Sequence, residues 1–159
     1  MSHLIEPGQA APNFSLHDQE ARRRRLEDYR GRWVVLYFYP KDETPGCTTE
    51  ACDFRDAMNE LEAAGAEVLG VSPDSEKSHL KFAQKQALNF TLLADTDTDV
   101  CEDYGVWQDK TMYGKTYKGV VRTTYLIDPA GKVAHRWDKV RVPGHVEEVL
   151  AELRQRSMR

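Results

Sequence analysis

Hydrophobic and polar residues alternate along the chain in blocks that predict strands and helices in turn. Residues 34–39 form an uninterrupted β-branched and aromatic run that ends at Pro40, as is typical of a buried strand. Residues 47–64 instead carry apolar side chains at helical spacing, and Gly65 supplies a stop. These apolar positions are Cys47, Ala51, Phe54, Met58 and Leu61. The pattern therefore changes from strand to helix just before Cys47.

The alternation continues to the end of the chain. Short apolar runs predict further strands at residues 66–71, 90–93, 123–127 and 133–137. Helices are predicted at residues 75–86, from an acidic start at 95–99, and from Pro143 to about Arg156. In the helix at 75–86, Leu80, Phe82 and Ala83 are expected to face inward. The turn residues 128–131 predict a hairpin between the last two strands.

A β-α-β start followed by a hairpin and a final helix predicts an α/β fold with a mixed central sheet flanked by helices. This arrangement resembles the thioredoxin-like fold. The chain has 159 residues, with no internal repeat or linker. A single domain over residues 1–159 is therefore expected. The fold alone does not specify a function.

Charge and hydropathy exclude several classes of protein. The net charge is −4, whereas nucleic-acid binders concentrate positive charge. The basic run Arg22–Arg25 is flanked by acidic residues and is interpreted as a solvated surface turn. The start of the chain does not resemble a secretory signal, and no apolar stretch reaches the roughly 20 residues of a membrane helix. We therefore expect a cytoplasmic protein that binds neither nucleic acid nor membrane.

The cysteines are the candidate chemistry. Persistent disulfides are rare in the cytoplasm, so the three cysteines are expected to be reactive or packed. Cys47 lies at a predicted helix start, where unpaired amides and the helix dipole stabilise a thiolate. It also shares the apolar stripe of that helix, whereas Cys52 is rotated by roughly 140° from it. Cys47 should therefore face the protein interior and Cys52 should face elsewhere.

The spacing of Cys47 and Cys52 has a conformational consequence. In a continuous helix their Cα atoms lie about 8.7 Å apart, beyond the roughly 7 Å that a disulfide allows. A disulfide between them would require the first helical turns to unwind, and the β-branched Thr48 and Thr49 weaken this stretch. Two simpler interpretations remain open: Cys47 is a packing thiol and Cys52 an incidental surface cysteine. A zinc site is disfavoured, because the five histidines are scattered along the sequence.

The residues around Cys47 also resemble a known family. Pro40-x-x-x-Thr44-x-x-Cys47 matches the active-site signature of the peroxiredoxins. The longer segment 37–52 resembles the bacterioferritin comigratory protein, or peroxiredoxin Q, branch. The resemblance extends from residues 8–16 through 70–74 to 122–128. It thus covers nearly the whole chain and supports the thioredoxin-like fold.

The resemblance implies a role for each matched residue. Cys47 would be the peroxidatic cysteine, which attacks the peroxide and becomes a sulfenic acid. Thr44 would hold the peroxide through its hydroxyl, and Arg122 would stabilise the thiolate and the developing charge. Pro40 would shield the thiolate from water. Backbone amides near Gly46 and Cys47 would complete the substrate-binding site.

Cys52 matches the resolving cysteine of family members that place it five residues after the peroxidatic one. It would condense with the sulfenic acid to form an intramolecular redox disulfide, Cys47–Cys52. Cys101 has no counterpart in the family pattern and is interpreted as a packed thiol in a short helix, with a minor alternative as a resolving thiol. Glu50 and Tyr39 are further candidates for residues that support the site.

The implied reaction is the reduction of hydrogen peroxide and organic hydroperoxides to water and alcohols. Thioredoxin or a glutaredoxin would then reduce the disulfide. No metal or other cofactor is implied, and a monomer is expected because the resolving cysteine lies in the same chain. Two other functions stay open: a protein disulfide reductase, and a redox-sensing module that uses Cys47 as a switch. Neither of them requires the Thr44 and Arg122 pair.

Overall fold

A computed structural model describes residues 3–158 of the chain. The strands are β1 (Ser15–Asp18), β2 (Arg23–Arg25), β3 (Trp33–Phe38), β4 (Ala66–Ser72), β5 (Thr91–Ala94), β6 (Trp107–Met112), β7 (Lys115–Val120), β8 (Thr123–Ile127) and β9 (Val133–Trp137). The helices are α1 (Pro45–Ala63), α2 (Glu76–Lys85), α3 (Asp99–Asp103) and α4 (His145–Ser157), with a short 3-10 turn at Leu26–Tyr29.

Seven of the strands form one mixed sheet in the order β2-β1-β5-β4-β3-β8-β9. The central strands β5, β4 and β3 are parallel, and the flanking pairs are antiparallel. Strands β6 and β7 form a separate hairpin. The predicted α/β class with a mixed central sheet flanked by helices is confirmed.

Strand β3 lies inside the sheet, between β4 and β8, and the alternation of its side chains separates two cores. Val35 and Tyr37 point to the face covered by α1 and α4. Val34, Leu36 and Phe38 point to the opposite face. Because successive side chains of a strand point to opposite sides, a continuous apolar run is what a strand buried on both faces requires. The next element, α1, packs on the face to which Val35 and Tyr37 point.

Helix α1 carries the predicted stripe. Its buried residues include Cys47, Ala51, Phe54, Met58 and Leu61, as the helical spacing predicts. The helix starts at Pro45, two positions before the predicted start at 47, because proline is well suited to the first helical position. The start of α1 therefore lies inside the segment that precedes Cys47.

Several predictions about the periphery were wrong. Residues Arg23–Arg25 are not a surface turn but strand β2, paired with β1; the turn before them is closed by Asp18, which accepts hydrogen bonds from the amides of Glu20 and Arg22. Leu80 does not face inward and is 37% exposed. His79 takes the buried position instead, because its ring finds hydrogen-bond partners inside.

Other differences concern element bounds. Helix α4 starts at His145 rather than at Pro143, since Gly144 adopts a left-handed conformation at its N-cap. The strand predicted at 90–93 lies one residue later, and the acidic start at 95–99 leads into α3. Strand β1 and the β6–β7 hairpin were not predicted, because their polar residues hide the alternation. None of the helices described over residues 3–158 is long and apolar enough to cross a membrane.

Candidate active site

Cys47 is the third residue of α1 and is 1% exposed. The first hydrogen bond of the helix runs from the Thr48 amide to the Thr44 carbonyl, at 2.9 Å. The amides of Gly46 and Cys47 precede this bond and are therefore not used by the helix. These two donors and the positive end of the helix lie beside the thiol, where they favour an anion.

Arg122 reaches this thiol from a position 75 residues later in the chain. Its Nη2 donates to Cys47 Sγ at 3.3 Å, and its Nη1 donates to Glu50 Oε1 at 2.7 Å. Burial alone would lower the pKa of Arg122, but the negative charges of Glu50 and Cys47 raise it above its usual value. The guanidinium therefore stays charged against the sulfur, and Glu50 fixes its orientation.

Glu50 is itself completely buried. Burial raises the pKa of Glu50 to about 7, against the opposing charge of Arg122. Its Oε1 is bonded to Arg122, while its Oε2 has no hydrogen-bond partner among the residues that the structure describes. Burial and the charge of Arg122 therefore act on the pKa of Glu50 in opposite directions, and burial has the larger effect.

The segment 40–44, which we call the Asp42 loop, connects β3 to α1 and carries Pro40 and Thr44. Both residues are half-buried. The Thr44 hydroxyl donates to the Lys41 carbonyl at 2.8 Å rather than capping α1. Because its hydrogen is used inside the loop, the oxygen remains as an acceptor for a hydroxyl group.

Gly46 is exposed and lies against Arg122. A Cβ added at this position would be only 3.2 Å from Arg122 Nη2. Only a residue without a side chain lets the guanidinium approach the backbone at the helix start this closely. The structure thus brings Arg122 together with Cys47 and Gly46, two of the predicted site residues, and with Glu50.

Cys52 lies on the other side of α1. It is half-buried, and its thiol donates to Gln86 Oε1 at 3.6 Å, at the end of α2. All three cysteines are free, and α1 is continuous through both Cys47 and Cys52. In this reduced form the two sulfurs face different parts of the protein, and a bond between them needs the helix start to unwind.

Three neighbours of the site were not found from the sequence. Lys110 on β6 donates to the Val120 carbonyl at 3.0 Å; burial and the charge of Arg122 lower its pKa, and the charge of Cys47 opposes this. His145 is buried against Thr124, and burial lowers its pKa to about 4. The Tyr37 hydroxyl is buried with no partner in the described part of the chain.

One cluster has the spacing of metal ligands. Asp42, Asp74 and His79 each offer an atom, and these atoms lie within 4.8 Å of one another. Hydrogen bonds within the protein already engage all three side chains. The expectation that no metal takes part in the reaction stays a prediction.

Comparison with known proteins assigns the chain to a family. The model of the AhpC/TSA family matches residues 7–136. A peroxiredoxin relative from Coxiella burnetii is 55% identical over 149 residues, 94% of this chain and 99% of the relative. Escherichia coli peroxiredoxin Bcp is 46% identical over 153 residues, 96% of this chain and 98% of its own. The chain belongs to the peroxiredoxin family.

The similarity extends to the three-dimensional structure. The bacterioferritin comigratory protein of Xanthomonas campestris, whose structure was studied for alkyl peroxide reduction, superposes with a TM-score of 0.89 at 41% identity, covering 99% of both chains. The thioredoxin-like fold of the peroxiredoxins is thereby confirmed for this chain, as is the bacterioferritin comigratory protein or peroxiredoxin Q branch. The peroxiredoxin is accordingly an enzyme, a thiol peroxidase.

Proposed function

We propose that this peroxiredoxin reduces hydrogen peroxide and organic hydroperoxides with Cys47 as the attacking thiolate. The observation that carries the proposal is the contact between Arg122 Nη2 and a buried Cys47 Sγ, at 3.3 Å. A cation held against a water-shielded thiol at a helix start favours its nucleophilic form. The alkyl peroxide reduction of the Xanthomonas campestris relative supports organic hydroperoxides as substrates.

In the first step the Cys47 sulfur attacks the terminal oxygen of the peroxide. The S–O bond forms as the O–O bond breaks, leaving a sulfenic acid and an alkoxide or hydroxide that takes up a proton. Arg122 and the amides of Gly46 and Cys47 stabilise the charge that develops on the oxygens. Thr44 accepts the hydrogen bond of the peroxide hydroxyl, and Pro40 shields the sulfur from water.

In the second step the Cys52 thiolate attacks the sulfur of the sulfenic acid. The S–S bond forms as the S–O bond breaks, and the departing hydroxide takes up a proton and leaves as water. The start of α1 must unwind before the two sulfurs can meet. Thr49 favours this unwinding, because its hydroxyl donates to the Pro45 carbonyl at 3.1 Å, and such a contact weakens a helix. Further along, Arg55 donates to the Gln86 carbonyl at 2.7 Å and ties α1 to the end of α2. We expect unwinding to stop before Arg55.

A dithiol protein, thioredoxin or a glutaredoxin, then exchanges with the disulfide and restores both thiols. We also propose that residues 1–159 form one domain, that the enzyme acts as a monomer in the cytoplasm, and that it uses no metal or other cofactor. Reduction of protein disulfides by Cys47 itself is disfavoured, since a thiol that is 1% exposed cannot meet a protein substrate.

The test is a peroxide-dependent NADPH assay with thioredoxin and thioredoxin reductase. Replacement of Cys47 by serine should lower turnover at least about 10³-fold, because the nucleophile is lost. Cys52→Ser should retain one fast oxidation by peroxide but lose turnover, and Cys101→Ser is the matched control that should keep both. Substantial turnover in Cys47→Ser would refute the assignment, and turnover in Cys52→Ser would move the resolving role to Cys101.

The unwinding step has its own test. Amide hydrogen exchange at residues 47–53 should be faster in the oxidised than in the reduced protein, because the disulfide breaks helical hydrogen bonds there. Amides beyond Arg55 should keep their protection and serve as the internal reference. Equal protection of residues 47–53 in both states would contradict the unwinding of the helix start.

A further inference from the structure

A buried polar network lies behind the Asp42 loop, and the cycle proposed above does not use it. Lys41 and Glu43 are exposed, but Asp42 between them is buried. Its carboxylate accepts three hydrogen bonds from outside the loop: from the Tyr39 hydroxyl at 2.6 Å, from Ser78 Oγ at 2.8 Å and from His79 Nδ1 at 2.7 Å. The loop is therefore anchored in its middle to α2.

The charge of this network follows from the partners of His79, which is completely buried. Its Nε2 lies 3.0 Å from the Leu93 carbonyl, and its Nδ1 lies 2.7 Å from Asp42 Oδ2. A carbonyl only accepts, so Nε2 must carry a hydrogen. An ionised carboxylate also only accepts, so Nδ1 must carry one too. The ring is then an imidazolium ion.

The surrounding groups agree with this charge. Tyr39, which directly follows β3, directs its hydrogen to Asp42 Oδ1, and Ser78 on α2 directs its own to Oδ2, so both stabilise the ionised carboxylate. Asp74, which follows β4, accepts the amide of Asp42 at 2.8 Å and adds a second negative charge near the ring. Loss of the proton from His79 would leave a ring lone pair facing a carboxylate.

We propose that His79, as an imidazolium ion paired with Asp42, is a positioning residue that holds the Asp42 loop, and with it Thr44 and Pro40, at the peroxide site. The proposal rests on the proposed function, in which Thr44 binds the peroxide. Thr44 follows Asp42 by two residues and is bonded back to Lys41, so a shift of Asp42 moves the hydroxyl as well. Without its cationic partner, Asp42 would draw the loop toward water.

The first test compares two reactions of Cys47 in the variant His79→Gln. The rate constant with hydrogen peroxide should fall about tenfold, because a displaced binding group disturbs the geometry of attack. The rate with iodoacetamide, which needs the thiolate but not the peroxide site, should change less than about twofold. The matched control is His17→Gln. His17 is a half-exposed histidine on β1, and it contacts Glu76 of α2, the helix that also carries His79, at 2.9 Å.

An unchanged peroxide rate in His79→Gln, or an equal fall of both rates, would overturn the positioning role. If wild-type Cys47 does not react with peroxide at all, the proposed function fails and the positioning role fails with it. If wild-type Cys47 reacts with peroxide and the His79→Gln variant reacts at the same rate, only the positioning role is rejected.

Two further measurements apply even if His79→Gln does not fold. In the wild type, the ¹⁵N spectrum of the His79 ring at neutral pH should show both nitrogens protonated; one unprotonated nitrogen would overturn the imidazolium. The milder variant Ser78→Ala removes one hydrogen bond to Asp42 and should lower the peroxide rate about twofold without affecting alkylation. An unchanged peroxide rate in folded Ser78→Ala would count against the role of the network.

Discussion

Cys47 and Cys101 occupy nearly identical positions in two different helices. Each is the third residue of its helix, each follows a threonine N-cap, and they are 1% and 0% exposed. The groups that face them differ in sign. Arg122 donates to Cys47 Sγ, whereas the carboxylate of Asp95 accepts the Cys101 amide at 2.7 Å.

The electrostatic consequence is clear at Cys101. Burial, and then the charge of Asp95, raise the pKa of the Cys101 thiol far above its usual range. The free amides that would favour a thiolate are already used, since Asp95 also accepts the amide of Val100. Burial and a helix start are thus common to Cys47, the thiol that we propose as the nucleophile, and to Cys101, whose pKa is raised. The sign of the charge brought in by the rest of the fold separates them.

The variant Arg122→Gln should have the largest effect, because it removes the positive charge that lies beside Cys47 and that Cys101 lacks. We expect its rate constant with hydrogen peroxide to fall about 10²–10³-fold, as for the loss of a group that stabilises developing charge. Stopped-flow fluorescence with peroxide measures this rate. Arg154→Gln, which removes an exposed arginine paired with Glu60 at 2.9 Å, is the control and should change little. A loss of less than about threefold in Arg122→Gln would show that the comparison rests on some other feature.

A carboxylate also lies near Cys47, that of Glu50. It contacts Arg122, whereas the carboxylate of Asp95 contacts the amides at the start of α3. The folded pKa of Glu50, about 7, exceeds the ordinary 4.5, so folding favours its protonated form. This stabilisation is complete below pH 4.5 and is lost as the pH rises through 7. Relative to Glu50→Gln, the wild type should lose about 3 kcal/mol of unfolding free energy across that interval.

Urea unfolding at pH 4.5, 6 and 8 measures this difference. Glu60→Gln, at an exposed position of the same helix, is the control and should follow the wild type at each pH. Parallel curves for wild type and Glu50→Gln would contradict a raised pKa for Glu50 and imply that the carboxyl stays ionised beside Arg122.

The sequence predicted the elements whose pattern is strong. Strand β3 and helix α1 follow from a continuous apolar run and a regular stripe, bounded by Pro40 and Gly65. The β6–β7 hairpin escaped prediction, because its exposed face carries lysine and threonine and it packs on little of the core. Local pattern therefore sufficed where burial is extensive and failed where an element is mostly solvated.

The same division holds for the site. Cys47, Thr44 and Cys52 lie in one continuous motif, so the resemblance to a family could locate them. Arg122 was named only by that resemblance, since nothing local distinguishes it from a surface arginine. The burial of His79 in place of Leu80 could not be read from the sequence at all, because both positions fit a helix. Partners on a distant loop and strand decide between them.

Asp95→Asn tests the other half of the comparison and should have the smallest effect on thiol chemistry. Burial is the first cause of the raised pKa of Cys101, and burial remains when the charge is removed. We therefore expect its alkylation by iodoacetamide in the native protein to change by no more than about twofold, because access limits the reaction. Mass spectrometry of the alkylated protein measures this, with exposed Asp97→Asn as the control. If Cys101 instead became as reactive as the half-buried Cys52, the charge of Asp95 rather than burial would be what keeps Cys101 inert. The difference between Cys47 and Cys101 would then come from one charged side chain beside each thiol, Arg122 and Asp95.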